Sequence, residues 1–429
     1  MIKTNALGRI REFIERQTEN FKVLLISSVV TNSHRNLTLG QAAASGGGGA
    51  GGASYQQLFL RTLGADSQQI GYLNSLNRVA NAVFALPLGW LSDRFSQRKV
   101  NLFGLLLGII VPITFLLATD WSQAIPAMVI DAVATTMLGI FVTIFYINAV
   151  KETSDRATAM SLRNTLISIV GLAVPTLSAI VVSHFGGITV EGIRPLFIIQ
   201  IVVGASVFLY AFFKLKEVAF LQKKEIEQKK SIFQDYKEIA RIPVVQKWTV
   251  TKCLRMFFAN SLLPFYSLFY VEVKQANEIT IAAMGTVATL GVLIFLVPLG
   301  RLADKYGRKK VIYLTRPFNY LSIFVAILAP SPEYLIVAAF LGALNSVSFL
   351  MEITMEHELV PEQQRGRWGG FLFFIMGLTG IPGPILTGYL WQRLNPAYLL
   401  LLPILADIPF IAVLPTIPDT LKIEHKKEA

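Results

Sequence analysis

The sequence predicts an all-helical integral membrane protein built from two related six-helix halves, on three observations. The 429 residues are 53% hydrophobic and only 15% charged, with a mean hydropathy of +0.54, too apolar for a soluble protein of this length. Apolar runs of about 20 residues, each long enough to cross about 30 Å of hydrocarbon, recur along the chain. A short motif in the first part of the chain returns in the second part.

The apolar runs predict eleven complete membrane spans. They cover residues 68–91, 100–119, 124–149, 162–184, 194–214, 248–271, 279–302, 311–329, 333–356, 368–391 and 397–415. A twelfth span, which begins near Phe21, is defective, because the polar and Gly-rich stretch NSHRNLTLGQAAASGGGGAGGASYQQ (32–57) falls where its middle should be.

The net charge is +12, and the basic residues are distributed as expected for a membrane protein. With the N-terminus in the cytoplasm and one crossing per span, 32 of the 39 Lys and Arg residues fall in cytoplasmic segments and four in external loops. Basic residues are enriched in the cytoplasmic loops of membrane proteins. We therefore predict that both termini are cytoplasmic, that the protein lies in the lipid bilayer of the cell membrane, and that it has no nucleic-acid partner.

The first 20 residues predict a helix in the membrane interface, since Ile10, Phe13 and Ile14 share one helical face. They lack the apolar core and cleavage site of a signal peptide. The predicted divisions are this segment (1–20), a first six-helix bundle (21–214, interrupted at 33–54), a cytoplasmic linker (215–247), a second bundle (248–416) and a cytoplasmic tail (417–429).

No sequence feature of an enzyme or a metalloprotein is present. The chain has no Gly-Lys-Ser/Thr loop for nucleotide phosphates, its four His residues are dispersed, and Cys253 is its single cysteine. We predict no enzymatic activity, no cofactor and no metal.

Two pairs of motifs show that the chain is a duplicated six-helix unit. PLGWLSDRFSQRKV (87–100) and PLGRLADKYGRKKV (298–311) match at seven of fourteen positions, at an offset of 211. A second pair, RATAMS and RGRWGG, keeps Arg156 opposite Arg365 at an offset of 209. That offset also places Gly171 on Gly380.

The motif pair resembles the signature of the major facilitator superfamily, a family of transporters with two six-helix halves around a central site. The second copy is similar to the family pattern at essentially every position, whereas the first departs from it at Ser96 and Gln97. The resemblance covers nearly the whole chain. It assigns the following gating-motif residues: Gly89, Asp93, Arg94, Gly300, Asp304, Lys305, Gly307 and Arg308.

The resemblance implies that the motif latches the cytoplasmic side shut. Gly89 and Gly300 would allow close helix approach, and Asp93 and Asp304 would face the positive N-terminus of a helix in the opposite half. The alternative for the two carboxylates is a solvated loop position. The basic residues of the motif can also be plain cytoplasmic anchors.

The Gly-rich stretch adds about 18 residues to the first span. Four residues separate Asn260 from Phe265 in the matching span of the second half, and 22 separate Asn32 from Tyr55. Because each glycine costs about 1 kcal/mol against alanine in a helix, residues 33–54 are not expected to form a continuous helix. Three interpretations stay open: a broken helix that lines a substrate site, a local insertion, and a flexible filler that replaced native sequence.

Polar side chains within the spans are the candidate substrate and coupling residues, because such groups are costly in a bilayer. Asn74, Asn77, Arg78 and Asn81 form a stripe on one face of the second span, with interhelix hydrogen bonding as the alternative. We predict that Arg78 approaches Asp131 on the fourth span, since both lie at similar depth.

Asp131 shares its face with Thr135, Gly139 and Tyr146, and Asp131 and Tyr146 are taken as site residues. The resemblance implies that a protonatable carboxylate on the fourth span can couple transport to protons. Drug exporters of the family commonly carry an arginine at the position of Thr135, so this chain departs from their pattern.

In the second half, Asn345 and Glu352 lie on one face of the tenth span and complete the candidate site. Glu352 is either a coupling residue or part of a gate. Asp407 is expected to be structural, and Arg255 to extend its side chain to the membrane surface.

These features predict a monomeric secondary transporter of a small organic solute, coupled to protons, that works by alternating access. The alternatives are a multidrug-type exporter of the same family and a receptor or lipid scramblase on the same scaffold.

Overall fold

A computed structural model describes residues 6–39, 53–94, 96–152, 155–217, 241–360 and 365–418. These residues are almost entirely helical and contain no strand. Seven helices in the described ranges are long and apolar enough to cross a membrane by themselves, and one bent pair makes an eighth. The described helices follow one another in the order expected for two six-helix halves.

The first half contains α1 (Ala6–Arg16), α2 (Glu19–Leu39), α3 (Tyr55–Thr62), α4 (Ser67–Arg94), α5 (Gln97–Leu117), α6 (Ile125–Ala149), α7 (Arg156–His184) and α8 (Val190–Lys214). The second half contains α9 (Pro243–Leu262), α10 (Phe265–Leu268) with a π-helical turn (Phe269–Val273), α11 (Glu278–Tyr306), α12 (Arg308–Leu328), α13 (Tyr334–Glu358), α14 (Arg365–Gly380), α15 (Pro382–Trp391), α16 (Pro396–Leu399) and α17 (Leu402–Val413). Where both can be compared, the predicted and observed ends of the eleven apolar spans differ by a few residues.

The bundle has two ends. At the end that holds the first and last described residues, here the terminal face, Thr18 Oγ1 donates to the carbonyl of Ala149 at 2.5 Å. At the opposite end, the distal face, Lys274 Nζ donates to the carbonyl of Ala329 at 3.0 Å. The sides between these faces expose large apolar residues, such as Val202 at 60% in the middle of α8. An apolar belt between two polar ends is what a bilayer requires.

Helix α1 is amphipathic, as predicted, and it also packs on the bundle. The ring of Phe13 meets that of Phe21 edge-on at 6.2 Å, and Arg16 pairs with Asp155 at 2.7 Å. These contacts tie the N-terminal segment to α2 and to the start of α7.

The first span continues further than expected, through Leu39, so the predicted interruption at 33–54 begins too early. Ser33, His34, Leu37 and Thr38 are buried, and packing of these side chains outweighs the low helix propensity of the sequence. Residues 40–52 of the Gly-rich stretch lie outside the described residues. Helix α3 begins at Tyr55, within the last residues of the stretch.

The interruption falls where the matching span of the second half also breaks. Helix α9 ends at Leu262, and the helix that follows it is bent by 45°. At the repeat offset of 211, Leu263 and Pro264 correspond to Gly52 and Ala53. The Gly-rich stretch therefore ends at the position that corresponds to this bend of the second half.

We expect that replacing residues 40–52 with three glycines leaves the fold intact. The two ends of the stretch meet, since Ser54 Oγ donates to the carbonyl of Thr38 at 3.2 Å. Shortening such a loop changes its closure entropy by only about 1 kcal/mol. Thermal unfolding of both purified proteins measures the change. Removal of 33–54, in contrast, also deletes the end of α2 and should destabilise the protein.

The two halves pack closely toward the distal face. A Cβ at Gly71 of α4 would lie 2.4 Å from the carbonyl oxygen of Pro384 in α15, so only glycine fits there. On the other side of the bundle, Thr176 of α7 and Thr286 of α11 share a hydrogen bond of 3.3 Å. These contacts close the distal end of the interface between the halves.

An ion pair joins the halves close to their pseudo-twofold axis. Arg61 of α3 pairs with Glu272 of the π-helical turn at 2.5 Å, and the two positions differ by 211, the repeat offset. A contact between equivalent positions of two repeats must lie near the axis that relates them. Arg61 and Glu272 therefore join the halves on that axis.

We expect Arg61→Gln to increase opening at the distal face. The two side chains are 38% and 31% exposed, and pairs of this kind contribute about 0.5–1 kcal/mol, a population shift of roughly twofold to fivefold. Labelling of a cysteine placed at Thr286 by an impermeant reagent measures the opening. The charge-swapped double variant Arg61→Glu, Glu272→Arg should restore the original labelling, and unchanged labelling in Arg61→Gln would argue against a gate.

Candidate functional site

A partly buried ion pair between α2 and α6 lies in the first half. The guanidinium Nη2 of Arg35 donates to Asp131 Oδ1 at 2.6 Å and to Thr135 Oγ1 at 2.7 Å. The side chains of Arg35 and Asp131 are only 18% and 19% exposed. A charged pair at this depth is expensive, which makes it a functional candidate.

The predicted approach of Arg78 to Asp131 is wrong. Arg78 points to the second half, where its Nη2 donates to the carbonyl of Asn260 at 3.1 Å. Successive helix residues point about 100° apart, and it is the neighbouring Asn77 that faces α6. Its Nδ2 lies 3.5 Å from Asp131 Oδ2. Arg35 was not predicted as the partner of Asp131, because it lies in the first span, which the Gly-rich stretch interrupts.

The rest of the asparagine stripe makes interhelix hydrogen bonds. Asn74 and Gln57 exchange side-chain bonds of 3.2 and 3.0 Å, and Thr136 Oγ1 donates to Asn81 Oδ1 at 2.6 Å. Asn74 and Asn81 therefore make the interhelix hydrogen bonds that were given as the alternative to a substrate site. Of the predicted stripe, Asn77 alone contacts Asp131 among the described residues.

A cavity adjoins the ion pair. Its volume is about 370 Å³ including the open space at its mouth, and its lining comprises His34, Arg35, Thr38, Leu39, Gln56, Gly108, Val111, Pro112, Phe115, Asp131, Phe197 and Gln200. Apolar walls with a few convergent polar groups are typical of small-molecule sites. The Gln200 amide is fixed by its bond to Thr38 Oγ1 at 2.8 Å.

Tyr146 lies away from this site. It is fifteen residues along α6 from Asp131, about 22 Å, and its buried ring packs on Phe21 at 4.9 Å. Its hydroxyl donates to the carbonyl of Ala159 at 2.9 Å. Tyr146 therefore makes packing contacts near the terminal face and does not line the cavity beside Asp131.

The second half holds a separate group of buried ionised residues, here called the charge cluster. Its members are Lys252 and Arg255 of α9, Arg316 of α12, Glu352 and Glu356 of α13, and Asp407 of α17. Three formal positive charges meet three negative ones. Their side chains are between 0% and 12% exposed.

Glu352 is the centre of the charge cluster. Its Oε2 accepts from Lys252 Nζ at 2.8 Å and from Arg255, and its Oε1 accepts from Arg316. Lys252 also pairs with Glu356 at 2.6 Å, and Arg316 Nη1 donates to Asn345 Oδ1 at 3.1 Å. Asn345 and Glu352, predicted to act together, thus share one partner.

The expected position of Arg255 at the membrane surface is wrong. Its guanidinium lies over the ring of Phe410 at 4.7 Å, and its Nη1 is 3.7 Å from Asp407. Lys252 and Arg316 were counted among the 32 basic residues of the cytoplasmic segments, so neither was predicted as a site residue. The available signal was their position eight or nine residues inside a helix.

The gating-motif residues have different surroundings. Gly307 ends α11 with φ +98°, a conformation that glycine adopts readily, and Arg308 pairs with Glu358 at 2.5 Å. A Cβ at Gly300 would meet no atom within 4 Å, so the close helix approach expected there is absent from this structure. Asp304 and Lys305 are exposed. The side chains of Gly89, Asp93 and Arg94 lie outside the described residues.

Comparison with known proteins shows the family. The model of the Major Facilitator Superfamily matches residues 37–284 and 261–427. An uncharacterised MFS-type transporter of Methanocaldococcus jannaschii is 22% identical over 346 residues, which is 78% of this chain and 82% of the relative.

Two solved structures have the same fold at low identity. A mutant of the nucleoside transporter NupG has a TM-score of 0.72 at 14% identity, covering 92% of this chain and 98% of that one. A D-xylose-proton symporter has a TM-score of 0.67 at 13% identity, with the same coverage. Two packed six-helix halves, the repeated motif and these matches show that the chain belongs to the Major Facilitator Superfamily, a family of multi-pass membrane transporters.

Proposed function

We propose that this chain moves a small polar solute across the cell membrane by alternating access, with proton coupling at the Arg35–Asp131 ion pair. The observation that carries the proposal is a charged pair held at 2.6 Å on the wall of a cavity inside the first half. The D-xylose-proton symporter supports it as a proton-coupled protein of the same fold.

Competition between Asp131 and the solute for Arg35 would couple solute binding to proton binding. Protonation of Asp131 removes the negative charge that holds the guanidinium, which is then free to bind an anionic or strongly polar group of the solute. Binding of that group in turn favours the protonated carboxyl, because the partner charge has been taken away. Thr135 and Asn77 keep the carboxyl in place in either state.

The proposed orientation places the terminal face in the cytoplasm, as the distribution of basic residues favours. The distal contacts around Gly71 and Thr286 then correspond to a state that is closed to the outside. Asp304, exposed here, is free to meet the opposite half when the cytoplasmic side closes, which is the latch that the motif predicts. A single chain holds the whole site, so a monomer suffices.

Flux in proteoliposomes that contain the purified chain tests the proposal. An acidic exterior should drive accumulation of a transported solute, and preloaded solute should exchange without a gradient. A receptor would show neither accumulation nor exchange of solute, and a scramblase would move labelled lipid without a gradient. Binding of a solute with no pH-dependent flux would contradict the proposal.

A further inference from the structure

A second polar cavity lies in the first half, nearer the terminal face. Its lining comprises Ser27, Ser28, Thr31 and Asn32 of α2, Asn101 and Leu105 of α5, Leu138 of α6 and Arg163 of α7. Its volume is about 290 Å³ including open space. Arg163 is seven residues from the start of α7, about 10 Å from that end of the helix. This space is called the Arg163 cavity.

The Arg163 cavity contains one cation and no carboxylate among its described lining residues. Arg163 Nε donates to Ser28 Oγ at 3.1 Å, which fixes the guanidinium against α2. A hydroxyl does not neutralise a guanidinium, and a cation within a helix bundle needs a negative partner.

Two buried side chains in the same cavity lack hydrogen-bond partners among the described residues. They are the amide Nδ2 of Asn101, a residue only 2% exposed, and the hydroxyl of Thr31. Buried polar groups are nearly always paired, so an unpaired donor signals a missing partner. An amide NH₂ and a hydroxyl beside a guanidinium form a donor set suited to an oxyanion.

The matching region of the second half contains the ion-paired side chains of the charge cluster. The offset of 228 that relates α2 to α9 places Ser27 on Arg255, and the repeat offset of 211 places Leu105 on Arg316. In the second half both arginines are paired with Glu352.

The carboxylate that completes the charge cluster has no counterpart in the first half. At the offset of 209, Glu352 corresponds to Thr143 and Arg163 to Leu372. The second half thus supplies its own anion at this place. The first half supplies a cation, unpaired donors and an open volume.

From this difference we infer that the Arg163 cavity binds a small oxyanion, such as phosphate or sulfate. Arg163 provides the charge, and Asn101 and Thr31 provide directional hydrogen bonds. The site is separate from the Arg35–Asp131 pair, because Ser28 and Arg35 are seven residues apart on α2, about 10 Å. The inference does not depend on the proposed proton coupling.

Equilibrium binding of radiolabelled inorganic phosphate to the purified full chain in an uncharged detergent tests the inference. We expect saturable binding at one site per chain, competition by sulfate, and no comparable competition by chloride. Arg163→Gln should weaken binding by roughly tenfold to a hundredfold and Asn101→Leu by roughly threefold to tenfold. Arg163→Lys keeps the charge and should bind better than Arg163→Gln. Arg156→Gln, an exposed position on the same helix, is the matched control and should bind like the unaltered chain.

Nanodiscs separate the two sources of a phosphate group. If phosphatidylglycerol displaces inorganic phosphate and phosphatidylcholine does not, a lipid headgroup is the natural occupant. If neither does, a free anion is. Absence of saturable binding in folded protein, or equal binding in Arg163→Gln, would overturn the inference.

Discussion

Replacing Glu352 with glutamine is expected to destabilise the protein by about 3–5 kcal/mol, the usual effect of removing one partner from a buried ion pair. Glu352 is fully buried and accepts from three cations. Its loss leaves Lys252, Arg255 and Arg316 with only two carboxylates in a region that excludes water. Thermal unfolding of the detergent-purified variant should show a large fall in Tm.

Two further variants identify the cause of that fall. Asp304→Asn removes the same charge from an exposed position and should change stability by less than about 0.5 kcal/mol. Adding Lys252→Met to Glu352→Gln restores equal numbers of positive and negative charges and should recover part of the Tm. A Glu352→Gln protein as stable as Asp304→Asn would show that the charge cluster is not a structural element.

Asp131→Asn is expected to abolish proton-driven accumulation of solute while solute exchange continues. The asparagine keeps the shape of the side chain but cannot take up a proton, and it no longer holds Arg35 by charge. Accumulation should fall at least about tenfold, which corresponds to about 1.4 kcal/mol of lost coupling. The measurement is uptake into proteoliposomes with and without a pH gradient.

The matched control for this variant is Asp120→Asn, an exposed carboxylate near the distal face, which should accumulate solute normally. Arg35→Gln should weaken solute binding directly. Because Arg35 and Asp131 contact each other, the two substitutions should be non-additive in the double variant. Additive losses, or normal accumulation in Asp131→Asn, would remove the ion pair from the mechanism.

The sequence by itself determined the class, the repeat and the ends of most spans. Span positions follow from the length of the apolar runs, because a backbone in lipid must satisfy its own hydrogen bonds and a helix of about 20 residues is the local solution. The duplicated motif needed only the comparison of PLGWLSDRFSQRKV with PLGRLADKYGRKKV. Both signals are local in the chain, so no knowledge of packing was required.

Only the tertiary structure decided which charges meet. Arg35 and Arg78 lie in consecutive spans, and the choice of Arg35 as the partner of Asp131 depends on how α2 and α4 are rotated about their axes. Hydropathy does not report that rotation, which is set by side-chain packing across helix interfaces. Lys252 and Arg316 show the same limit, because a basic residue near a span end reads as a topology signal until its carboxylate partner, distant in sequence, is brought beside it.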